Sequence, residues 1–450
     1  MATGLERVGA LMAQALPVRP LGRVAALRSG LVAVQGLSQT ARLGDLVRLG
    51  PPAGGRRAEI LRIDEDGRVW VLPDGPPEGL TLGAPVALLG AAVLAPDDSW
   101  IGRVIDPYGD PLDERPLLPG GTPRPLRPAP MNPAGRRPLG PRLETGLSIF
   151  NTMLPLVQGQ RLGLFAGSGV GKSSLLGQLA QGVAADVVVV ALVGERGREL
   201  RDFVERVLGP AGMAKTVLVA ATSDRSAAER RRCAHTAMTV AEHFRDAGRQ
   251  VLLLVDSVTR LAEAHREIAL AAGEPASLRG FPPSTMSVIA GLCERAGPGP
   301  RGAAADITAV FTVLVAGADM DEPVADMLRG VLDGHVVLDR AIAERGRFPA
   351  VDVLRSVSRA LPHCASDAEN TLIAEARALM GAYDRAEAMI QAGLYAAGSD
   401  PAIDRAIAAW PRLDAFVSRR EDQDTRASFL ALGACLARNA RKRADRGGEG

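Results

Sequence analysis

Ala166-Gly167-Ser168-Gly169-Val170-Gly171-Lys172-Ser173 decides how the rest of this 450-residue chain is read. The run stands between a short apolar stretch, Arg161–Phe165, and a helix-forming one, Ser174–Val183. Strand, glycine-rich loop and helix is the context in which such a run binds phosphate. Closely spaced glycines let successive backbone N–H groups turn inward around phosphate oxygens. The following helix adds its positive N-terminal end. Gly167, Ser168, Gly169, Val170, Gly171, Lys172, Ser173 and Ser174 are therefore the candidate nucleotide-binding residues. Lys172 is placed to reach the β- and γ-phosphates of ATP, and the Ser173 hydroxyl to ligate Mg²⁺. Ala166 stands where the strict pattern has glycine, so the reading rests on the other positions.

Composition supports the same loop. Of 53 basic residues only Lys172, Lys215 and Lys442 are lysines. A chain that otherwise uses arginine keeps a compact, flexible ammonium where a point charge on phosphate is wanted. The length allows about two to four domains. A net charge of +2 gives no strong field toward nucleic acid or anionic membrane, and 3% aromatic residues leave little for a base-stacking surface. The four cysteines are far apart with no CxxC pair, which suits free thiols in a reducing cytoplasm. No charged segment followed by an apolar run and a cleavage site opens the chain, so no signal peptide is expected. The apolar runs Val187–Val193 and Val251–Val255 are too short to span a bilayer.

Outward from the loop, the hydrophobic pattern divides the chain. Leu5–Leu16 has apolar residues near helical spacing and is ended by Pro17 and Pro20. Residues 1–20 therefore read as a separate helical segment, suited to assembly or regulator binding. Residues 21–92 carry short alternating strands, among them Glu59–Ile63 and Arg68–Leu72 around the turn Asp64-Glu65-Asp66-Gly67, and predict a small β-barrel. Pro111–Pro141 is Pro- and Gly-rich and reads as an extended connection. In residues 93–362 strands alternate with helices: Arg161–Phe165, Val187–Val193, Thr216–Ala221, Val251–Val255, Ile307–Val315 and His335–Leu338 are the strands, with Ser226–Ala247 a helix between them. Apolar strands alternating with helices predict a parallel sheet in an α/β domain. Residues 363–450 show only helices, at Ala368–Ala397, Ala402–Val417 and Asp424–Ala440, before a basic tail.

Asp256 closes the apolar strand Val251–Val255. A carboxylate there, near the loop strand, is where a phosphate-loop ATPase holds Mg²⁺, commonly through water. Standing alone, such an Asp is as readily an N-cap of the next helix. Glu195 follows strand Val187–Val193 and also lies beyond a strand's carboxyl end, where open α/β sheets place ligand groups. It is the candidate to orient the attacking water, and Glu199 a carboxylate favourable to the following helix dipole.

Several ordered motifs carry a resemblance. The loop, Gly194-Glu195-Arg196, Asp256-Ser257-Val258-Thr259-Arg260, Gly280-Phe281-Pro282-Pro283-Ser284 and Arg355-Ser356-Val357-Ser358-Arg359 together resemble the rotary ATP synthase family. So does Gly102-Arg103-Val104-Ile105-Asp106 followed by Pro111-Leu112-Asp113. Ile307–Leu314 and Leu332-Asp333-Gly334-His335-Val336-Val337-Leu338 bring the likeness nearest to the ATPases of flagellar and virulence type III export, over about residues 20–435. The resemblance implies a RecA-like central domain that hydrolyses Mg-ATP. It implies Glu195 as catalytic glutamate, Arg196 and Arg260 as phosphate-contacting or geometry-holding cations, Phe348 as an aromatic packing on adenine, and Arg359 as an arginine finger for a neighbouring subunit. A finger acting in trans needs head-to-tail subunits, and such contacts close into a ring. Rotary ATP synthases split the two roles between unlike subunits; this chain carries both, so a homohexamer is expected. The implied partners are a central stalk protein, a negative regulator bound to the N-terminal segment, the membrane export gate, and export substrates with their chaperones. The chain is expected to be cytoplasmic and recruited to the inner membrane peripherally. The catalytic subunit of a proton-translocating synthase is disfavoured because Asp400–Arg420 has mixed charge and no acidic block. A ring-shaped RNA translocase is disfavoured by the near-neutral charge and a barrel whose one aromatic is Trp70; no specific nucleic-acid partner is expected.

Overall fold

A computed structural model describes residues 18–437, apart from 29, 52, 53, 278, 279, 316–319 and 321. The expected helix Leu5–Leu16 and the basic tail lie outside the described residues.

Six strands close into the barrel: β1 (Leu21–Arg28), β2 (Leu31–Gln35), β3 (Leu46–Leu49), β4 (Arg56–Ile63), β5 (Val69–Pro73) and β6 (Pro85–Gly90). Their order is β1-β2-β5-β4-β3-β6. Alternate residues point inward, and Val32, Val34, Val47, Leu49, Ile60 and Val71 make a core with almost no exposure. The β4–β5 hairpin turns at Gly67, whose φ of 82° a side chain would strain. Closure leaves no unpaired edge.

The central sheet has eight strands in the order β16-β15-β10-β14-β13-β11-β12-β8. Their ranges are β8 (Val104–Ile105), β10 (Arg161–Ala166), β11 (Val187–Glu195), β12 (Thr216–Thr222), β13 (Val251–Asp256), β14 (Ile307–Leu314), β15 (Gly334–Leu338) and β16 (Val351–Ser358), while β7 (Val93–Leu94) and β9 (Arg124–Pro125) pair antiparallel with each other outside this sheet. All pair in parallel except β16, which runs antiparallel along β15 at one edge. The period of two sends Val188, Val190 and Leu192 into one hydrophobic cluster and Val187, Val189 and Ala191 into another on the opposite face. The helix Ala227–Asp246 covers the second face. It starts at a Ser226–Glu229 capping box, one residue inside the expected span at each end.

The C-terminal helices Asp367–Gln391, Pro401–Val417 and Thr425–Leu436 have no separate core. Ile373, Leu379, Leu413, Phe416 and Leu432 join the first cluster together with Leu175, Leu176 and Leu179 of the loop helix Lys172–Gly182. The segment 144–151 joins these helices to the sheet domain. Asn151 Nδ2 donates to Ser428 Oγ at 3.2 Å, and the backbone N–H of Glu421 donates to Gly146 O. At the rear of the loop helix, Gly182 lies so close to Thr145 that a Cβ there would meet the Thr145 carbonyl oxygen at 2.3 Å. The first C-terminal helix stops at Gln391, short of the expected Ala397, with left-handed Gly393 (φ 68°) two residues on.

Where barrel meets sheet domain, the Tyr108 hydroxyl donates to Asp74. Burial pushes the Asp74 carboxyl up to about 7, with Glu229 acting the same way and Arg232 and Arg57 against it. A carboxyl whose folded value is raised holds its proton longer in the folded state than in the unfolded one. Its contribution is therefore fully present below the unfolded value near 4 and is lost as pH rises to about 7. Asp74→Asn keeps an acceptor for Tyr108 and removes the titration. Its melting temperature should match the parent's near pH 4 and exceed it by a few degrees at pH 7.5. A difference that does not grow with pH would show that folding does not raise the Asp74 carboxyl.

Candidate functional site

The loop lies where the sequence placed it, between β10 and the helix. Gly169 (φ 79°) and Gly171 (φ 88°) both occupy the left-handed region that turns N–H groups toward a common centre. The helix begins at Lys172, two residues earlier than expected, so Lys172 and Ser173 sit in its first turn with Gly171 as N-cap. A Cβ on Gly171 would come within 3.1 Å of the Phe348 ring. That ring is half exposed and stands beside the loop, 177 residues away in sequence.

Two neighbouring strands bring carboxylates to the lysine. Asp256 is the last residue of β13 and Glu195 the last of β11, which are paired strands in register. The Lys172 ammonium donates to Asp256 Oδ1 and lies 3.4 Å from Glu195 Oε1. Asp256 is nearly fully buried, and Thr312 of β14 donates a 2.7 Å hydrogen bond to the same Oδ1. Thr312 was not anticipated; it sits in the apolar run Ile307–Leu314, where only its polarity among buried neighbours marks it. Burial pushes the Glu195 carboxyl above the usual carboxylate range; a hydrogen bond and charge from Glu199 add to this, and the Lys172 charge opposes it.

The other sequence candidates divide. Arg260 flanks Glu195: its Cβ and Cγ lie 3.4 Å from where a Gly194 side chain would begin, and its guanidinium pairs with Glu263 at 3.0 Å. The Arg196 side chain is 82% exposed and reaches only Glu199, at 3.9 Å, so it is not drawn into the cluster. Ser173 and Ser174 follow the lysine on the helix, and both are exposed. Arg359 is elsewhere. β16 begins beside Leu338, at the loop end of the sheet, and runs back to Gly334, so Arg359 lies at the opposite end. Its N–H donates to Asp333 O, and its guanidinium to Arg329 O, both at 3.0 Å. Five residues of strand, roughly 16 Å, separate it from its own loop.

The arrangement offers phosphate-directed N–H groups, a cation, and two carboxylates at the carboxyl ends of parallel strands. A hydroxyl and carboxylate oxygens are hard donors of the kind Mg²⁺ takes. Comparison with known proteins gives the same direction. Residues 146–358 match the family described as "ATP synthase alpha/beta family, nucleotide-binding domain", and residues 365–431 that described as "T3SS EscN ATPase C-terminal domain". The chain is 45% identical over 439 residues to a flagellum-specific ATP synthase of Caulobacter vibrioides, covering 93% of this chain and 96% of that one. It is 40% identical to the flagellum-specific ATP synthase of Salmonella typhimurium, covering 93% of each. It is also 40% identical to a type 3 secretion system ATPase of Xanthomonas euvesicatoria, covering 94% of each. Among solved structures, the assembled ATPase EscN of the enteropathogenic E. coli type III secretion system superposes with a TM-score of 0.85 at 36% identity, over 92% of this chain and all of that one. EscN in complex with its central stalk EscO gives 0.83 at 37% identity, again over 92% of this chain and all of that one.

Proposed function

The chain belongs to the ATP synthase alpha/beta family, in the group of flagellum-specific ATP synthases and type III secretion ATPases, and it is an ATP-hydrolysing enzyme; from this premise we propose that it powers flagellar protein export as a ring whose active sites lie between copies. The observation that supports the site most directly is the Lys172 ammonium held between Glu195 and Asp256 beneath the loop glycines. When ATP enters, its phosphates take the place of these carboxylates as partners of Lys172, and the N–H groups of Gly169, Val170 and Gly171 line the phosphate cradle. Ser173 and Asp256 would hold Mg²⁺, which would supply positive charge against the phosphates. Thr312 fixes the Asp256 carboxylate. Phe348 offers a flat apolar face for the adenine. Glu195, freed from Lys172, orients the water and draws its proton; its raised affinity for protons suits that work.

Glu195→Gln should leave Mg-ATP binding within a few-fold of the parent and lower turnover by roughly 10²-fold or more. Binding measured with a fluorescent nucleotide and hydrolysis measured by phosphate release separate the two effects. A parallel fall in both, or in neither, would remove Glu195 from this role.

The position of Arg359 supports the ring. The finger stands at the far end of the sheet from its own loop, a separation longer than any arginine side chain, so its γ-phosphate belongs to another copy. Heterologous packing of identical chains makes a ring where the rotation closes, and we take six copies. EscN has been seen assembled and in complex with its central stalk EscO; for this chain a stalk partner is part of the proposal, as are a regulator on residues 1–20 and docking of chaperoned substrates at the export gate. No helix among the described residues is long and apolar enough to cross a membrane; attachment to the gate through partners is part of the proposal.

A further inference from the structure

The Pro-rich connection does not lie flat on the sheet domain. Between residues 124–136, the helix Ala227–Asp246 and the helix Ser284–Arg295 is a cavity of about 650 Å³. That is the size of a small-molecule site. It shares no lining residue with the loop site.

One wall is cationic: Arg124, Arg127, Arg136, Arg231, Arg245 and Arg295. Three carboxylates share the lining, Glu242, Asp246 and Glu294, leaving an excess of three positive charges when the histidines are neutral. Those carboxylates are already engaged. Asp246 takes Arg124 at 2.6 Å and Arg245 at 2.8 Å, and Glu242 takes Arg295 at 2.8 Å. Glu294 pairs with Arg161, outside the lining, at 2.5 Å. Behind the wall Glu59 is divided among Arg127, Arg231 and Arg232. The side-chain hydrogen bonds of Arg136 go to the backbone carbonyls of Ala296 and Glu294. His235, 7% exposed, lines the cavity with its Nδ1 unpartnered, and the Nε atoms of Arg124 and Arg231 are buried without acceptors. Burial and the arginine charges hold the His235 ring neutral. The facing surface is apolar, formed by Pro128, Pro130, Met131, Val288 and Leu292.

Guanidinium groups in surplus around one cavity call for an anion with several oxygens, and the planar fork of arginine matches phosphate. The apolar face calls for a body that displaces water from it. We propose that this cavity binds a small organic phosphate, a phosphoryl group on an apolar frame, at a site distinct from the nucleotide-hydrolysing loop.

The test uses full-length Lys172→Ala protein, in which phosphate capture by the loop is weakened, titrated calorimetrically with 1-naphthyl phosphate. One saturable site per chain is expected. Gly291 lines the cavity on the helix Ser284–Arg295, and a Cβ there meets no atom within 4 Å. Gly291→Phe therefore fills the cavity without removing a charge and should weaken binding at least about 10-fold, while Gly291→Ala should bind like its parent. Arg136→Gln, which breaks no ion pair, should weaken binding by about 10-fold through loss of charge-assisted hydrogen bonds. 1-Naphthoate should bind about 10-fold more weakly than the phosphate ester. Circular dichroism melting confirms that each variant is folded. Absence of a saturable site, or binding undiminished in both Gly291→Phe and Arg136→Gln, would overturn the proposal; naphthoate binding as tightly as naphthyl phosphate would overturn the assignment of phosphate.

Discussion

Lys172→Ala protein should hydrolyse ATP at least about 10³-fold more slowly than the parent chain, and should bind nucleotide more weakly. Phosphoryl transfer depends almost wholly on positioning and charge stabilisation, and Lys172 is the cation in the first turn of the loop helix. The substitution has a second effect that the structure makes specific. Asp256, buried and bonded to Thr312, would lose its counter-charge, and Glu195 would lose the one opposing its burial. Carboxylates left together without a cation hold protons more tightly and destabilise the fold. The melting temperature should therefore drop as well, and turnover should be measured well below it. Retention of most turnover would exclude this loop as the active site.

Arg359→Ala should form rings and bind ATP but hydrolyse it about 10³- to 10⁵-fold more slowly, the range seen for arginine fingers in related phosphoryl transfer. Arg359 lies at the Arg161 end of β10 and the loop at the Ala166 end, so in the proposed ring each chain would carry half of two different sites. Mixing Arg359→Ala with Lys172→Ala protein, after mixed rings have been shown to form, tests this directly. At some junctions an intact loop meets an intact finger, and part of the activity should return. Full activity of Arg359→Ala alone, or inactive mixed rings, would count against the finger.

Local signals made the loop, Asp256 and most central strands legible. A phosphate loop is a contiguous run, and a doubly buried strand is a contiguous apolar one, so both are visible without knowing their neighbours. β8 and β16 were not read. β8 is two residues long and exists only because Val104 and Ile105 pair with Leu218 and Val219, more than a hundred residues later. β16 is an edge strand whose exposed side carries Arg355 and Val357, so its apolar content is diluted. Thr312 and the approach of Phe348 to Gly171 are likewise products of packing between distant segments. The role of Arg359 could be suggested only by likeness, because a lone arginine after a strand carries no local mark. The large cavity was hidden for a related reason: its arginines come from three segments, and in the sequence each is one among fifty.

The close seat of Gly182 on Thr145 bears on how force travels. The loop helix faces the proposed phosphate site at its front and abuts segment 144–151 at its back, and that segment is bonded in turn to the last helices of the chain through Gly146 and Asn151. In mechanical terms it is a drawbar between tractor and load. A displacement of the terminal helices would meet the heel of the loop helix through one close backbone contact and two hydrogen bonds.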